Sequence, residues 1–343
     1  MDTNIFPPMS KKEWLEKIRA DLKGKSPESL HRTLSEQWAL SPFYHSEDLE
    51  EPAAPLSRAL DRPQLVQYIP RGAESGEELL TALQQGVSAP WIEAPKEWKA
   101  FWTEQSEVQW NMITPILQPP LPSDEDLPEH PNNHLDRFYL SGENKHQLNF
   151  RQQTGKFHFP IPHSTEADLP KTLGNWLLQI VQQLDELSPE QASLLFQNAL
   201  HQKQLSHAFY FELAAIRAMR LLAGALQRNY ELPKNTPISI WAQIGRPLQL
   251  STVQESLIAY TSAAFSAVCA GADFIYIDAH QEGSDTTATF QKRMARNIFH
   301  LLDMESHAFH VMDPAAGSYA LETLSRDIAQ KAWSYFLSQL SDD

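Results

Sequence analysis

The 343-residue chain contains a single cysteine, Cys269. That excludes an intramolecular disulfide and any zinc site built on cysteines, and it fits a reducing, cytoplasmic location. Basic residues are also scarce: 28 Lys and Arg stand against 43 Asp and Glu, a net charge of −15. No Lys/Arg stripe is present, which argues against a nucleic-acid partner, because phosphate contacts need clustered cations. A phosphorylated small ligand held locally stays compatible with this charge. No apolar run approaches the roughly 20 residues of a spanning helix, and the opening MDTNIFPPMSKKEW lacks the apolar core of a signal peptide. The expectation is a soluble chain with no membrane partner. What the chain does have is 42% hydrophobic and 21% charged residues, a balance that excludes wholesale disorder, a collagenous repeat or a coiled-coil rod.

Residues 1–63 read as an arm and linker. Ser10 and Glu13 stand at capping-box spacing before WLEKIRADLKG, and Gly24 supplies a helix stop. Ser26 to Pro63 holds Trp38, Phe43 and Tyr44 with no sustained period. Together with Trp14 of the helix, these aromatics are expected to anchor the segment on another surface, and they are assigned as partner-facing.

Residues 64–343 alternate short apolar runs with helical ones. Strands are predicted at 65–69, in APWIEA and VQWNMI, and at 157–161, 238–245, 272–279 and 307–312. Helices are predicted at 76–86, in PKEWKAFWTEQ, at 169–184, from Ser188, at 209–226, 253–271 and 287–302, and after Gly317. The cadence predicts an α/β fold, a TIM-type (β/α)8 barrel that could be incomplete or irregular, closed by a C-terminal helix. An open doubly wound sheet is disfavoured, because no glycine-rich phosphate turn follows the first strand. The proline- and acid-rich stretch from Gln118 to Pro131 reads as a solvated loop and not a metal site.

Several motifs invite chemistry. Asp278-Ala279-His280-Gln281-Glu282-Gly283 matches the D-x-H-x-x-G string by which some corrinoid proteins offer an imidazole to cobalt. Such a domain needs another hundred or so residues around the motif, whereas 60 follow Gly283 and read as mostly helical. We therefore treat the string as a decoy: a strand end entering a polar loop. Arg217 and Arg220, three apart on one predicted helix with Glu212, would serve either as anchors for a CoA phosphate or carboxylate or as ion-paired structural groups, and the second reading is preferred. His158 and His163 flank FPIP, and His300, His307 and His310 lie near the end. No convergent donor set stands out, so no metal is expected. His307 and His310 would point to opposite faces of a strand.

The end of the chain carries a resemblance. Ala295-Arg296-Asn297, Glu305-Ser306-His307 and Asp313-Pro314-Ala315-Ala316-Gly317-Ser318-Tyr319 follow one another, and AQKAWSYF closes the series at Phe336. In that order and spacing they resemble the A-R-N, E-S-H and D-P-A-x-G-S-[WY] elements and the A-x-x-A-W-x-x-F helix of the methylmalonyl-CoA mutase family, the last being typical of its small, or beta, subunits. FYFELAAIRAMRLL and the arm from Trp14 to Leu49 are similar to further family elements. The resemblance implies a TIM-type barrel whose arm wraps a partner subunit. In catalytic members it implies radical exchange between methylmalonyl-CoA and succinyl-CoA with adenosylcobalamin, the pantetheine threading a barrel axis lined with small polar groups.

The departures from the catalytic pattern shape the reading. The H-x-Q-T-S-G segment falls on Trp241-Ala242-Gln243-Ile244-Gly245, so the imidazole and hydroxyls are gone. The arginine and glutamate of N-N-x-x-R-T-x-x-E-A become Ala259 and Ala263, and the lysine of E-I-A-K becomes Ala215. Phe157, Phe159, Trp241, Phe274 and Tyr276 alternate along strands, so large side chains should fill the axis whichever parity points inward. The expectation is a non-catalytic small-subunit-like chain with no catalytic residues and no cofactor of its own. It would form a heterodimer with a larger cobalamin-carrying subunit, or a homodimer in isolation. The rival is an acyl-CoA-binding barrel of a split mutase whose cobalamin domain comes in trans.

Overall fold

The computed structural model describes residues 9–35, 38–49, 55–72, 74–118, 139–140, 157–165, 167–233, 236–245, 252–278 and 285–341. The arm begins with α1 (Lys11–Asp21), where Ser10 and Glu13 form the predicted reciprocal cap. The chain leaves this helix through Lys23 and Gly24, both at positive φ. A small antiparallel pair follows, β1 (Arg32–Ser35) against β2 (Trp38–Leu40).

The barrel contributes eight strands: β3 (Gln64–Ile69), β4 (Ala89–Ile92), β5 (Ile116–Leu117), β6 (Tyr139–Leu140), β7 (His158–Ile161), β8 (Leu200–Gln204), β9 (Ser239–Ile244) and β10 (Phe274–Ile277). Their order is β6-β5-β4-β3-β10-β9-β8-β7 and every pairing is parallel. Consecutive strands are neighbours, and the first, β3, pairs with the last, β10. That is the winding of a (β/α)8 barrel. No pairing joins β6 to β7 among the described residues, so the sheet is a curled, incomplete barrel. The helices are α2 (Ser75–Gln84), α3 (Trp98–Glu104), α4 (Leu169–Leu184), α5 (Pro189–Asn198), α6 (Phe209–Asn229), α7 (Val253–Cys269), α8 (Asp285–His300) and α9 (Tyr319–Ser341). Helix α5 starts on the predicted Ser188 and Gln191 box.

Within the barrel two predicted strands are not strands, and β5, β6 and β8 lie where none is predicted. VQWNMI is not the third strand. Trp110 is drawn into an aromatic cluster with Phe101 and Trp102, its ring 4.6 Å from that of Trp102, and the backbone there makes a tight turn before β5. HAFHVM is not a strand either. Phe309 buries itself against Phe299, but His307 sits at φ 50, a left-handed turn geometry that ends any extended run. The rings of His307 and His310 consequently stack, 4.9 Å apart, on one side of the turn. Strand β8, LHQKQ, is absent from the sequence-based expectation because its apolar content is a single leucine.

Two apolar compartments result from strand alternation. The larger lies between sheet and helices; α9 packs along α4 and α6 there. The smaller fills the axis with Val66, Ala89, Ile116, Leu200, Trp241, Phe274 and Tyr276, against which Tyr68 and Trp91 pack. Phe157 and Phe159 belong to the outer compartment. His201, also outward on β8, is fully buried. Trp176 donates its indole N–H to His201 Nδ1 at 3.1 Å, and Phe159 stacks on the imidazole. Burial, with His158 and Arg220 adding to it, pulls the His201 pKa down to about 3, so the ring is neutral in the folded protein. No helix among the described residues is long and apolar enough to cross a membrane.

Candidate functional site

The inner faces of the strands bring aromatic rings together across the barrel. Trp91 meets Tyr68, Trp241 and Tyr276 edge to face at 4.9, 5.1 and 5.4 Å between centroids, the geometry that ring quadrupoles favour. Beside this plug runs a polar ladder across three neighbouring strands. His158 Nε2 lies 2.8 Å from Gln202 Oε1, and the Gln202 amide donates to Gln243 Oε1. Side chains of this kind survive inside a barrel because each satisfies the next.

Gln243 also lines a cavity of about 490 Å³ at the carboxyl ends of the strands, the end where sites of such barrels form. Its origin is visible in the register. Strands β3 and β10 are paired over Gln64–Phe274, Leu65–Ile275 and Val66–Tyr276. Ile277 keeps its pairing with Ile244, while Gln67 pairs only towards Pro90 among the described residues. The first and last strands therefore part, and the wedge between them opens towards α8. Tyr68, Trp91, Tyr276, Leu65, Ile277 and Ala295 give it an apolar lining. Polar groups come from Gln67, Gln118, Gln243, Asp278, Lys292 and Arg296. Arg296 Nη1 donates to Gln67 Oε1 at 2.6 Å, and Lys292 pairs with Glu78. At the rim the Tyr68 hydroxyl donates to Glu93 at 2.5 Å; burial first, then that bond, pushes the Tyr68 pKa up to about 12. The Tyr68 hydroxyl and the Arg71 N–H hold the Glu93 pKa below the usual carboxylate value.

The two arginines singled out from sequence lie elsewhere, under the helical layer. Arg217 pairs with Asp313 and Glu322. Arg220 reaches Asp273 at 3.1 Å and donates to the Ile238 and Gly271 carbonyls. Lys203, on the missed strand, pairs with Glu212 at 2.8 Å. The carboxylate of Asp313 also accepts from Leu56 N–H, and that of Asp273 from Leu60 and Ile240 N–H, so this lattice ties the linker to the barrel. Of the corrinoid-type string, Asp278 lines the cavity, its Cβ so close to Gly245 that any side chain there would collide; His280 and Gly283 lie outside the described residues. So does the acidic stretch beyond Gln118.

The arm aromatics find partners inside the chain. Trp38 is buried, its ring 5.1 Å from Phe211 and its indole N–H donated to Asp327. The surface it anchors to is thus the chain's own barrel. Trp14 and Phe43 stack at 3.9 Å, and the Tyr44 hydroxyl accepts from Ser41 N–H. No cluster of three or more metal-binding side chains occurs among the described residues. The Cys269 thiol is pushed up to about 11 by burial, far from a reactive thiolate. Sequence reasoning missed the wedge and its residues Gln67, Tyr68, Trp91 and Gln118. The available signal was the alternation in QLVQYI, where glutamines interrupt an otherwise apolar strand.

Comparison with known proteins places the family likeness on the second half of the barrel. Residues 196–339 match the family model described as methylmalonyl-CoA mutase. The methylmalonyl-CoA mutase of Rhizobium meliloti is 30% identical over 128 residues, 36% of this chain and 18% of that protein. The methylmalonyl-CoA mutase small subunit of Porphyromonas gingivalis is 33% identical over 134 residues, 38% of this chain and 22% of that one. The methylmalonyl-CoA mutase large subunit of Propionibacterium freudenreichii is 28% identical over 130 residues, 37% and 18%. The chain thus spans about a fifth of the length of the relatives it matches. Among solved structures, dihydropteroate synthase from Thermus thermophilus aligns over 73% of this chain and 100% of its own, at 12% identity and a TM-score of 0.40, too loose a likeness to carry an argument. Over residues 196–339, the later barrel strands and the C-terminal helix, this chain is similar to the methylmalonyl-CoA mutases.

Proposed function

We propose that the chain is a non-catalytic, small-subunit-like component of an adenosylcobalamin-dependent methylmalonyl-CoA mutase, and that it stabilises the catalytic large subunit in a heterodimer. The observation that carries this reading is the filled axis: Trp241, Phe274 and Tyr276 meet Val66, Ala89, Ile116 and Leu200 where a pantetheine arm would have to pass. A barrel of this size packed with such side chains is a core and not a tunnel. The likeness to a protein named as a small subunit supports the same reading.

The described residues do not fit the cofactor. A cavity of about 490 Å³ is smaller than a corrin with its side groups, and its walls, which combine aromatic rings and amides with Asp278, Lys292 and Arg296, hold among the described residues no imidazole to offer cobalt. In this proposal adenosylcobalamin therefore belongs to the partner subunit, and no step of its chemistry runs through these residues.

Co-expression with a catalytic large subunit is expected to yield a heterodimer in size-exclusion chromatography. Separate elution of the two proteins at micromolar concentration would overturn the proposal. Calorimetry tests the split-mutase reading: tight binding of methylmalonyl-CoA to this chain alone would replace the non-catalytic role with a substrate-binding one.

A further inference from the structure

We propose that the wedge between β3, β10 and α8 is a binding site for a small aromatic monocarboxylate, with the carboxylate held by Arg296 and the ring lodged against Tyr68, Trp91 and Tyr276. The cavity, about 490 Å³, lies inside the range of roughly 300–1,000 Å³ typical of small-molecule sites, which are mostly apolar with a few convergent polar groups.

The charge balance is the main argument. Arg217, Arg220 and Arg296 are all buried, at 1, 8 and 8% exposure. The first two each have a carboxylate within ion-pairing distance. Arg296 has none among the described residues, and its one hydrogen bond there goes to the neutral amide of Gln67. Glu78, the acid whose charge bears on it, is already engaged by Lys292. A buried guanidinium without a counter-ion is costly, and burial draws the Arg296 pKa below its ordinary value. The group carries five donors in a fork that matches a carboxylate, and it lines the cavity wall. A ligand carboxylate would supply the opposite charge that Arg217 and Arg220 receive from the protein itself.

The other walls define the rest of the ligand. The Tyr68, Trp91 and Tyr276 rings offer edges and faces to a flat apolar group. The amides of Gln67 and Gln243 are already engaged by Arg296 and Gln202, so they add orientation more than affinity. Asp278 also lines the cavity, against Gly245 at the end of β9. A second negative charge on the ligand would meet it, so the site selects one carboxylate and not two. None of this depends on the subunit role proposed above.

Isothermal titration calorimetry on the full chain tests the site with three probes: 2-naphthoate, 2-naphthamide and naphthalene-2,6-dicarboxylate. The naphthoate should bind, with the amide and the dicarboxylate each at least about tenfold weaker, the loss expected when a charge-assisted pair is removed or opposed. Arg296→Gln should erase the preference for naphthoate over naphthamide, whereas Arg293→Gln, on the exposed side of the same helix, should keep it. Equal affinity for acid and amide, absence of binding at millimolar naphthoate, or a preference that survives in folded R296Q would each overturn the proposal. The wild-type comparison of acid with amide needs no variant, so a misfolded R296Q leaves the test intact.

Discussion

The two halves of the barrel are held together by different physics. In the first half two of the strands, β5 and β6, have two residues each, and the layer beside them is an aromatic cluster of Trp98, Phe101, Trp102 and Trp110. In the second half, Lys203–Glu212 joins consecutive elements, and Arg217–Asp313–Glu322 and Arg220–Asp273 form buried ion pairs between elements far apart in sequence. An aromatic contact tolerates many shapes, whereas a buried charge dictates the residue type at both ends. The family match falls on the second half, residues 196–339, and two of the strings that carry the resemblance, FYFELAAIRAMR and DPAAGS, contain Glu212, Arg217, Arg220 and Asp313 of this lattice. The motifs that carry the likeness here are thus fasteners, whatever the chemistry of the matched enzymes. Arg217→Met is the sharpest way to break the contrast. It strands two buried carboxylates and should cost about 3–5 kcal/mol, read as a lowered urea midpoint. Neutralising all three groups together, as R217M/D313N/E322Q, should recover much of that loss. If the triple variant is as unstable as the single one, the charges are not what holds this region.

The second half should also respond to acid through His201. Its folded pKa is about 3 against an ordinary 6.5, so the unfolded chain takes up a proton that the folded chain refuses. The stability it supports is complete above about pH 6.5 and declines as the pH falls towards 3. At pH 5 the loss from this one group is about 2 kcal/mol. Unfolding at pH 7 and pH 5 should show that difference in the wild type and a clearly smaller one in His201→Gln; identical slopes would remove His201 from the account. The first half gives a milder case. Trp102→Leu keeps an apolar group in the cluster and should cost about 1–2 kcal/mol with no added pH dependence. A larger loss would mean that the aromatic cluster is as exacting as the ionic lattice.

How much of this was legible beforehand follows from the same contrast. Helix boundaries at Leu169–Leu184 and at Ser188 were readable because caps and apolar periods are local signals. The βα cadence favoured a barrel over an open sheet, and the family resemblance was needed to support it. Strand β8 was not readable, since His201 and Lys203 point outwards into the helical layer, where Trp176 donates to His201 Nδ1 and Glu212 pairs with Lys203, partners that no local pattern reveals. The turn at His307 was misread for the opposite reason: HAFHVM alternates like a strand, but only the fold shows Phe309 reaching back to Phe299. Filling of the axis was foreseen for Trp241, Phe274 and Tyr276. The wedge was not, because it arises from the parting of β3 and β10, a property of register and not of composition.

The smallest effect sharpens a different comparison, between arm and barrel, with the same chemistry in both. Ser10 and Ser188 each sit in a complete capping box, and removing such a side chain costs about 1 kcal/mol of helix stability. Helix α5 buries Ala192, Leu195 and Phe196 in the core, so its unfolding is coupled to that of the barrel, and Ser188→Ala should lower the global unfolding midpoint by that amount. Helix α1 buries no residue. It is attached through Trp14 on Phe43 and Lys11 with Asp48, contacts made within the arm itself. Ser10→Ala should therefore leave the global midpoint unchanged and raise amide hydrogen exchange in residues 11–21 alone, since local opening without loss of the core is the lower-cost event there. A global shift in S10A equal to that in S188A would mean that the arm folds as one unit with the barrel.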